Sequence, residues 1–219
     1  MKKTLLLIVA ALVATCAAEA QGTYIRQKMD HFAHLAIPSG KIVFLGDSIT
    51  DFGDWTELFG NNDIYNRGIS GDQTVWALQR LDRIIESTPR KVFIMIGTND
   101  LAVDRSPQDV ADNIFKIVKM LHEGSPATQI YVESLFPVNG IDFVGKASNK
   151  RNWYKGDEII ETNKLLKQGC ETLDIPYIDV YSHLVDSRGL LDPAYTNDGL
   201  HLMYDGYAKW VEILRPYLD

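Results

Sequence analysis

The sequence contains little cysteine, since Cys16 and Cys170 are the only two in 219 residues. Cys16 falls in a segment typical of a secretory signal, in which two lysines precede an apolar run and an Ala-Glu-Ala sequence follows. We expect residues 1–20 to be this signal and the mature protein to be periplasmic or secreted. Cys16 could instead mark a lipoprotein processing site, although Thr15 before it fits such a site poorly. Without residues 1–20 one thiol remains, so no disulfide forms within the mature chain.

Long apolar runs and an excess of positive charge are also missing. The apolar run near the N-terminus is shorter than the roughly 20 residues that cross a bilayer, and no later run approaches that length. Lysine and arginine number 22 against 29 acidic residues, and the formal net charge is −7. An acidic chain of this kind argues against nucleic acid or an anionic membrane as a partner.

What the sequence does contain is an alternation of β-type runs and helical stretches. The β-type runs are Lys41–Leu45, Asp63–Asn66, Val92–Ile96, Gln129–Ser134 and Pro176–Val180. The helical stretches are 72–86, 106–122, 157–173 and 203–218. This alternation predicts one α/β domain over residues 21–219, with a parallel sheet and helical crossovers. The long irregular segment Pro137–Gly156 is of a length that is often functional.

Small polar turns follow the first three β-type runs. They are Gly46-Asp47-Ser48, Gly68-Ile69-Ser70-Gly71-Asp72 and Gly97-Thr98-Asn99-Asp100. Each has an ordinary structural explanation, because Asp and Ser cap helices, Gly permits unusual backbone angles and Asn tightens turns. The carboxyl ends of parallel strands meet at one edge of a sheet, however, where open α/β sheets bind ligands. The three turns are therefore expected to lie together.

A fourth motif, Asp198-Gly199-Leu200-His201, follows the fifth β-type run. A serine site that cleaves esters needs a nucleophile, a base, a carboxylate that orients the base and donors for the developing oxyanion. The four motifs contain all of these groups. The α/β-hydrolase fold fits less well, because its nucleophile turn requires a second glycine where Thr50 stands and its acid and histidine are normally far apart.

Taken in order, the four motifs resemble the four blocks of the GDSL/SGNH hydrolase family. The match runs from Lys41 to the C-terminus, and Ile49 replaces the usual leucine. The resemblance implies a flavodoxin-like three-layer α/β/α sandwich with a five-stranded parallel sheet. It also implies a carboxylic ester hydrolase that uses no metal and no organic cofactor.

The resemblance further implies a role for particular residues. Ser48 would be the nucleophile, His201 the general base and then acid, and Asp198 the group that orients the imidazole. The backbone amides of Ser48 and Gly71 and the side chain of Asn99 would form the oxyanion hole.

The substrate is expected to be a small molecule or glycan that carries a short acyl ester. Residues 66–74 and 135–139 look most similar to acetylhydrolases of the platelet-activating-factor type and to bacterial carbohydrate esterases. Export and the aromatic, basic segment after Pro137 favour O-acetylated carbohydrates. The residues expected to contact substrate are Asp47, Asn139, Trp153 and Tyr154.

Other functions remain open at this point, and so does the oligomeric state. A lysophospholipase or thioesterase of the same fold would differ in its acyl-chain preference. A catalytically silent glycan-binding protein would be expected to lose part of the Ser48, Asp198 and His201 set. A phosphate or flavin site on a flavodoxin-like sheet would leave His201 unexplained.

Overall fold

The computed structural model describes residues 22–143 and 155–218. The expected signal at residues 1–20 and the candidate substrate contacts Trp153 and Tyr154 lie outside these residues.

Five parallel strands form one sheet in the order β2-β1-β3-β4-β5. They are β1 (Ile42–Gly46), β2 (Ile64–Gly68), β3 (Lys91–Met95), β4 (Gln129–Glu133) and β5 (Tyr177–Ile178). Every residue of β1 and β3 is buried, as expected where helices cover both faces of a parallel sheet. In the register of the sheet, Phe44 of β1 lies between Asn66 of β2 and Phe93 of β3. The five-stranded parallel sheet with flanking helices, which the family resemblance implies, is confirmed, and its strand order is that of flavodoxin-like folds.

Helices cover both faces of the sheet. The first, α1, spans residues 22–34. The others are α2 (Ser48–Asp51), α3 (Trp55–Phe59), α4 (Thr74–Ala77), α5 (Asp82–Glu86), α6 (Thr98–Ala102), α7 (Pro107–Gly124), α8 (Gly156–Leu173), α9 (Tyr181–Leu184) and α10 (Tyr204–Leu214). On one face α3 packs against α10, and on the other α7 packs against α4, α5 and α8. None of these described helices is long and apolar enough to cross a membrane.

The long helices begin close to where the sequence places them. Ser106 caps α7 by accepting a hydrogen bond from the Asp109 amide at 3.1 Å, and Pro107 takes the first helical position. The stretch predicted at 203–218 is α10 followed by a 3₁₀ turn, Arg215–Tyr217.

The stretch predicted as one helix over residues 72–86 is instead broken in two. A 3₁₀ turn, Leu78–Arg80, separates α4 from α5. The buried apolar residues of the whole stretch are Ala77, Leu81 and Ile84. The break coincides with Arg80, a charged residue whose side chain is directed into the molecule.

The helix α1, which is not among the helical stretches predicted from the sequence, packs beside edge strand β2. The Arg67 guanidinium of β2 lies 4.5 Å from the centre of the Phe32 ring. Arg83 donates a hydrogen bond to the carbonyl of Ala33 at 2.7 Å. The helix is therefore attached to the same end of the molecule as β2 and α5.

Candidate active site

Ser48 lies at the carboxyl end of β1, where the strand turns directly into α2. The turn is tight, since a Cβ at Gly46 would come within 2.5 Å of the Met95 carbonyl and 2.0 Å of the Thr50 hydroxyl. A glycine is therefore needed before this serine. Ser48 itself is 6% exposed, so its hydroxyl lies just below the surface at the edge of the sheet.

Asp47 does not occupy the position expected of a substrate contact. It is 1% exposed, and its carboxylate accepts the Ile49 amide at 3.0 Å, which caps α2. Burial raises the pKa of Asp47 to about 7, although the Ile49 amide and His201 partly oppose this shift. The capping explanation fits Asp47 better than contact with a substrate does.

His201 lies between Ser48 and Asp198. Its Nε2 is 3.0 Å from Ser48 Oγ, and its Nδ1 is 2.7 Å from Asp198 Oδ2, although 153 positions separate Ser48 from His201. Because a carboxylate can only accept, Nδ1 carries the hydrogen and Nε2 is left as an acceptor for the serine hydroxyl. The fold brings the three expected side chains into one hydrogen-bonded line.

Hydrogen bonds from its own loop keep the Asp198 carboxylate ionised. Partial burial alone would raise the pKa of Asp198, but hydrogen bonds from the His201 ring and from the His201 and Leu200 amides outweigh burial. The resulting pKa is about 2. Asp198 is therefore ionised at any pH at which the protein would work.

The loop of Asp198 and His201 is held by Asn139, which was expected to contact substrate. Asn139 is fully buried, and its side-chain amide donates to Asp142 at 2.9 Å and to the Leu191 carbonyl at 3.0 Å. Its backbone amide donates to the Gly199 carbonyl at 2.8 Å. This burial does not fit a substrate contact, and Asn139 instead supports the loop.

Gly71 and Asn99 follow the two strands next to β1 in the sheet. Gly71 has a φ of 82°, in the left-handed region that favours glycine. Asn99, in the first turn of α6, donates one side-chain hydrogen bond to the Asp72 carbonyl at 3.1 Å. An amide nitrogen carries two hydrogens, so Asn99 keeps a second donor while the first fixes its orientation.

Two buried ionic groups, Arg80 and Asp100, hold the three turns together. No role was predicted for either residue from the sequence. Arg80 pairs with Asp72 at 2.6 Å and also donates to the carbonyls of Gly46 at 3.2 Å and Arg67 at 2.9 Å. Asp100 accepts the amide of Thr74 at 2.9 Å and its hydroxyl at 2.6 Å. A charged residue inside an apolar helical pattern was the available signal for Arg80.

Two aromatic residues beside the line also went unpredicted. The Phe52 ring is 52% exposed, and its centre lies 5.2 Å from that of the His201 imidazole. The Tyr207 hydroxyl donates to the Ile49 carbonyl at 2.6 Å and so joins α10 to α2. Among the residues that the structure describes, no group of three His, Cys, Asp or Glu side chains could hold a metal ion.

Comparison with known proteins gives a consistent family. Residues 44–209 match the model of the GDSL-like lipase/acylhydrolase family. The chain is 29% identical over 175 residues to platelet-activating factor acetylhydrolase IB subunit alpha2 of Homo sapiens, covering 77% of this chain and 71% of the relative. It is similar to the structure of a Streptococcus pneumoniae protein assigned as a platelet activating factor, with a TM-score of 0.80, 28% identity and coverage of 97% and 99% of the two chains.

A more distant likeness is to an acetylxylan esterase from Geobacillus stearothermophilus. That structure has a TM-score of 0.64 and 21% identity, with coverage of 84% of this chain and 97% of the esterase. At this identity the likeness concerns the fold alone. Because the family model extends over most of the sequence, the chain belongs to the GDSL-like lipase/acylhydrolase family and is a carboxylic ester hydrolase.

Proposed function

We propose that the protein is an exported serine esterase that releases short acyl groups, chiefly acetyl, from O-acetylated carbohydrates. The observation that carries this proposal is the unbroken hydrogen-bonded line from Ser48 Oγ through the His201 imidazole to Asp198, at 3.0 and 2.7 Å. The serine of this line opens a helix at the carboxyl end of a parallel strand, the edge at which such sheets bind ligands.

In the first half of the reaction, Ser48 Oγ attacks the carbonyl carbon of the ester. Its proton passes to Nε2 of His201, and the ionised Asp198 stabilises the imidazolium that forms. The tetrahedral intermediate then collapses, and the C–O bond to the alcohol breaks. His201 returns the proton to the departing alkoxide, which leaves an acyl group on Ser48.

The oxyanion of that intermediate needs donors already aimed at it. The first amides of a helix have no acceptor within the helix, which leaves the Ser48 amide available at the start of α2. The Gly71 amide and the second hydrogen of the Asn99 side chain complete the set. Donors held in this way need no reorganisation when the charge develops.

In the second half, water enters where the alcohol has left. His201 takes a proton from the water, whose oxygen attacks the acyl carbon, and the same donors stabilise the second tetrahedral intermediate. Collapse breaks the acyl bond to Ser48, which regains its proton from His201. The products are a carboxylic acid and the free enzyme.

A large apolar groove formed by the described residues lies away from Ser48. An apolar groove of about 840 Å³ lies between α7 and α8, lined by Phe115, Ile130 and Leu173. It adjoins the first residues of β4, at the sheet edge opposite to Ser48, and so does not accept an acyl chain bound there. The relative in Homo sapiens is named an acetylhydrolase, and an acetylxylan esterase shares the fold.

The test is a panel of acylated substrates assayed against matched variants. Acetylated xylooligosaccharides, acyl esters of increasing chain length and a lysophospholipid are compared on wild type, Ser48→Ala and His201→Ala. We expect acetate release from the sugars and a loss of more than about a thousandfold in kcat in both variants. His183→Ala, which removes an exposed histidine of α9, is the control and should keep wild-type rates.

Two outcomes would contradict the proposal. Faster cleavage of long-chain esters or of the lysophospholipid than of the acetylated sugars would show that O-acetylated carbohydrates are not the substrate class. A serine-directed phosphonate that labels Ser48→Ala as fast as wild type would reject Ser48 as the nucleophile. Export rests on the signal-like residues 1–20, and N-terminal sequencing of the secreted protein decides it.

A further inference from the structure

Asp51, the last residue of α2, accepts hydrogen bonds from donors in two different parts of the chain. Its side chain is 4% exposed, so its charge needs partners inside the protein. One carboxylate oxygen accepts the Ser70 amide at 2.9 Å and also the Tyr24 hydroxyl. The other accepts the Lys28 ammonium at 2.8 Å. Two of the three donors therefore come from α1.

The third donor, Ser70, immediately precedes Gly71 in the turn after β2. Only the φ and ψ of Ser70 separate the anchored Ser70 amide from the Gly71 amide, so anchoring the first restricts where the second points. The end of β2 also lies directly on α2, since a Cβ at Gly68 would come within 2.2 Å of the Asp51 amide nitrogen. Asp51 thus joins the helix that begins at Ser48 to the turn that carries Gly71.

The helix that supplies Tyr24 and Lys28 has further contacts with β2 and α5. Phe32 stacks on Arg67, and the Ala33 carbonyl accepts from Arg83, as described above. Residues 22–34 precede the region, residues 44–209, that the family model matches. The hydrogen bonds that Asp51 accepts from α1 therefore come from residues outside the region that the family model matches.

We propose that Tyr24, Lys28 and Asp51 are positioning residues for ester hydrolysis. They hold the Ser70–Gly71 turn so that the Gly71 amide is aimed at the oxyanion. The inference rests on the function proposed above and adds a contribution of α1 to it. None of the three residues touches the reacting atoms, so their effect reaches the reaction only through the placement of the Gly71 donor.

The experiment compares Asp51→Ala, the double variant Tyr24→Phe with Lys28→Met, and Arg26→Met. The last removes a cation from the same helix whose contact is Thr23 rather than Asp51, and it serves as the control. For each protein we measure kcat and KM on an acetyl ester, with active sites counted by phosphonate titration, together with Tm and the pH–rate profile.

Losing an oxyanion donor costs on the order of 100 to 1,000 fold in kcat, and misplacing one costs less. We expect kcat per titrated site to fall about tenfold in Asp51→Ala and about threefold in the double variant. KM and the shape of the pH–rate profile should stay as in wild type, because the line of Ser48, His201 and Asp198 is untouched. Arg26→Met should match wild type throughout.

The inference is overturned if kcat per titrated site stays within about twofold of wild type in both test variants, even where Tm falls. A rise in KM at unchanged kcat also overturns it, since that would indicate contact with substrate. If Asp51→Ala does not fold, the double variant decides, because it leaves the Ser70 anchor in place. An inactive wild type would contradict the proposed function, whereas an active wild type with unaffected variants contradicts this inference alone.

Discussion

Asn99 is the side chain that most directly tests the proposed oxyanion hole, because the other two proposed donors are backbone amides that substitution does not remove. One of its two amide hydrogens is held by the Asp72 carbonyl at 3.1 Å. The residue is half-buried in the first turn of α6, so its loss would not open the core.

Asn99→Ala should lower kcat by roughly 100 to 1,000 fold and leave KM little changed, because the lost interaction forms only as charge develops on the carbonyl oxygen. Steady-state kinetics on an acetyl ester with titrated active sites measures this. Asn62→Ala, an exposed asparagine in the turn before β2, is the control. A loss of less than about fivefold would remove Asn99 from the set of donors.

At this scale the sequence predicts the line of three side chains but not all of their surroundings. Ser48, Asp198 and His201 lie in motifs whose spacing in the chain is informative. Asp47 and Asn139 are polar residues next to such motifs, yet both are buried and bind backbone groups. Whether a polar side chain faces a pocket or a neighbouring peptide depends on packing between distant segments, which a single sequence does not display.

Among the structural elements, the loop of Asp198 and His201 combines a left-handed glycine with a close backbone contact. Gly199 has a φ of 82°, and a Cβ there would come within 2.3 Å of the Asn139 carbonyl. The exposed Gly189 has a similar φ of 78° but no neighbouring atom within 4 Å of a Cβ. Alanine substitutions at these two glycines therefore distinguish the strain of a left-handed alanine from the effect of a steric clash.

Gly199→Ala should therefore lower both Tm and kcat, because the loop must move away from Asn139 and carries His201 with it. Gly189→Ala bears only the left-handed strain of roughly 1–2 kcal/mol, and its kcat should be that of wild type. Thermal denaturation and kinetics on the two variants provide the comparison. Equal kcat values for the two would show that the Asn139 contact does not position His201.

Elements with clear end signals were predicted well, and those shaped by a buried charge were not. The helix α7 has a serine cap, a proline in its first turn and an apolar stripe, and it lies where these signals put it. The stretch 72–86 has an apolar stripe too, but Arg80 turns inward to reach Asp72 and two strand carbonyls, and the helix breaks there. Propensity and periodicity carry no information on such a long-range pairing.

For the molecule as a whole, two buried carboxyl groups make stability depend on pH. Glu133 accepts a hydrogen bond from the Trp210 indole, and burial raises the pKa of Glu133 to about 8 against the partial opposition of that bond. Burial likewise raises the pKa of Asp47 to about 7. In the unfolded chain both groups lose their protons near pH 4.

The folded protein therefore binds more protons than the unfolded chain between about pH 4 and pH 8, so the free energy of unfolding falls as the pH rises through this range. We expect Tm to be higher at pH 5 than at pH 8.5, and Glu133→Gln to reduce the difference. Glu171→Gln, an exposed position of α8, should leave it unchanged. A Glu133→Gln protein with the same difference as wild type would contradict the assignment to Glu133.

Ser48 and His201, the proposed nucleophile and base, lie far apart in the sequence, with 153 positions between them. A ribosome must therefore translate past residue 201 before the two groups exist together. Four of the five strands are made between them, and the remaining strand, β1, pairs with two of those four. Under the proposed mechanism, nascent chains and chains that end before His201 have no base, and we expect them to be inert toward esters. Ester cleavage would thus report that the sheet and the His201 loop have both formed, which would make it a sensitive assay for refolding.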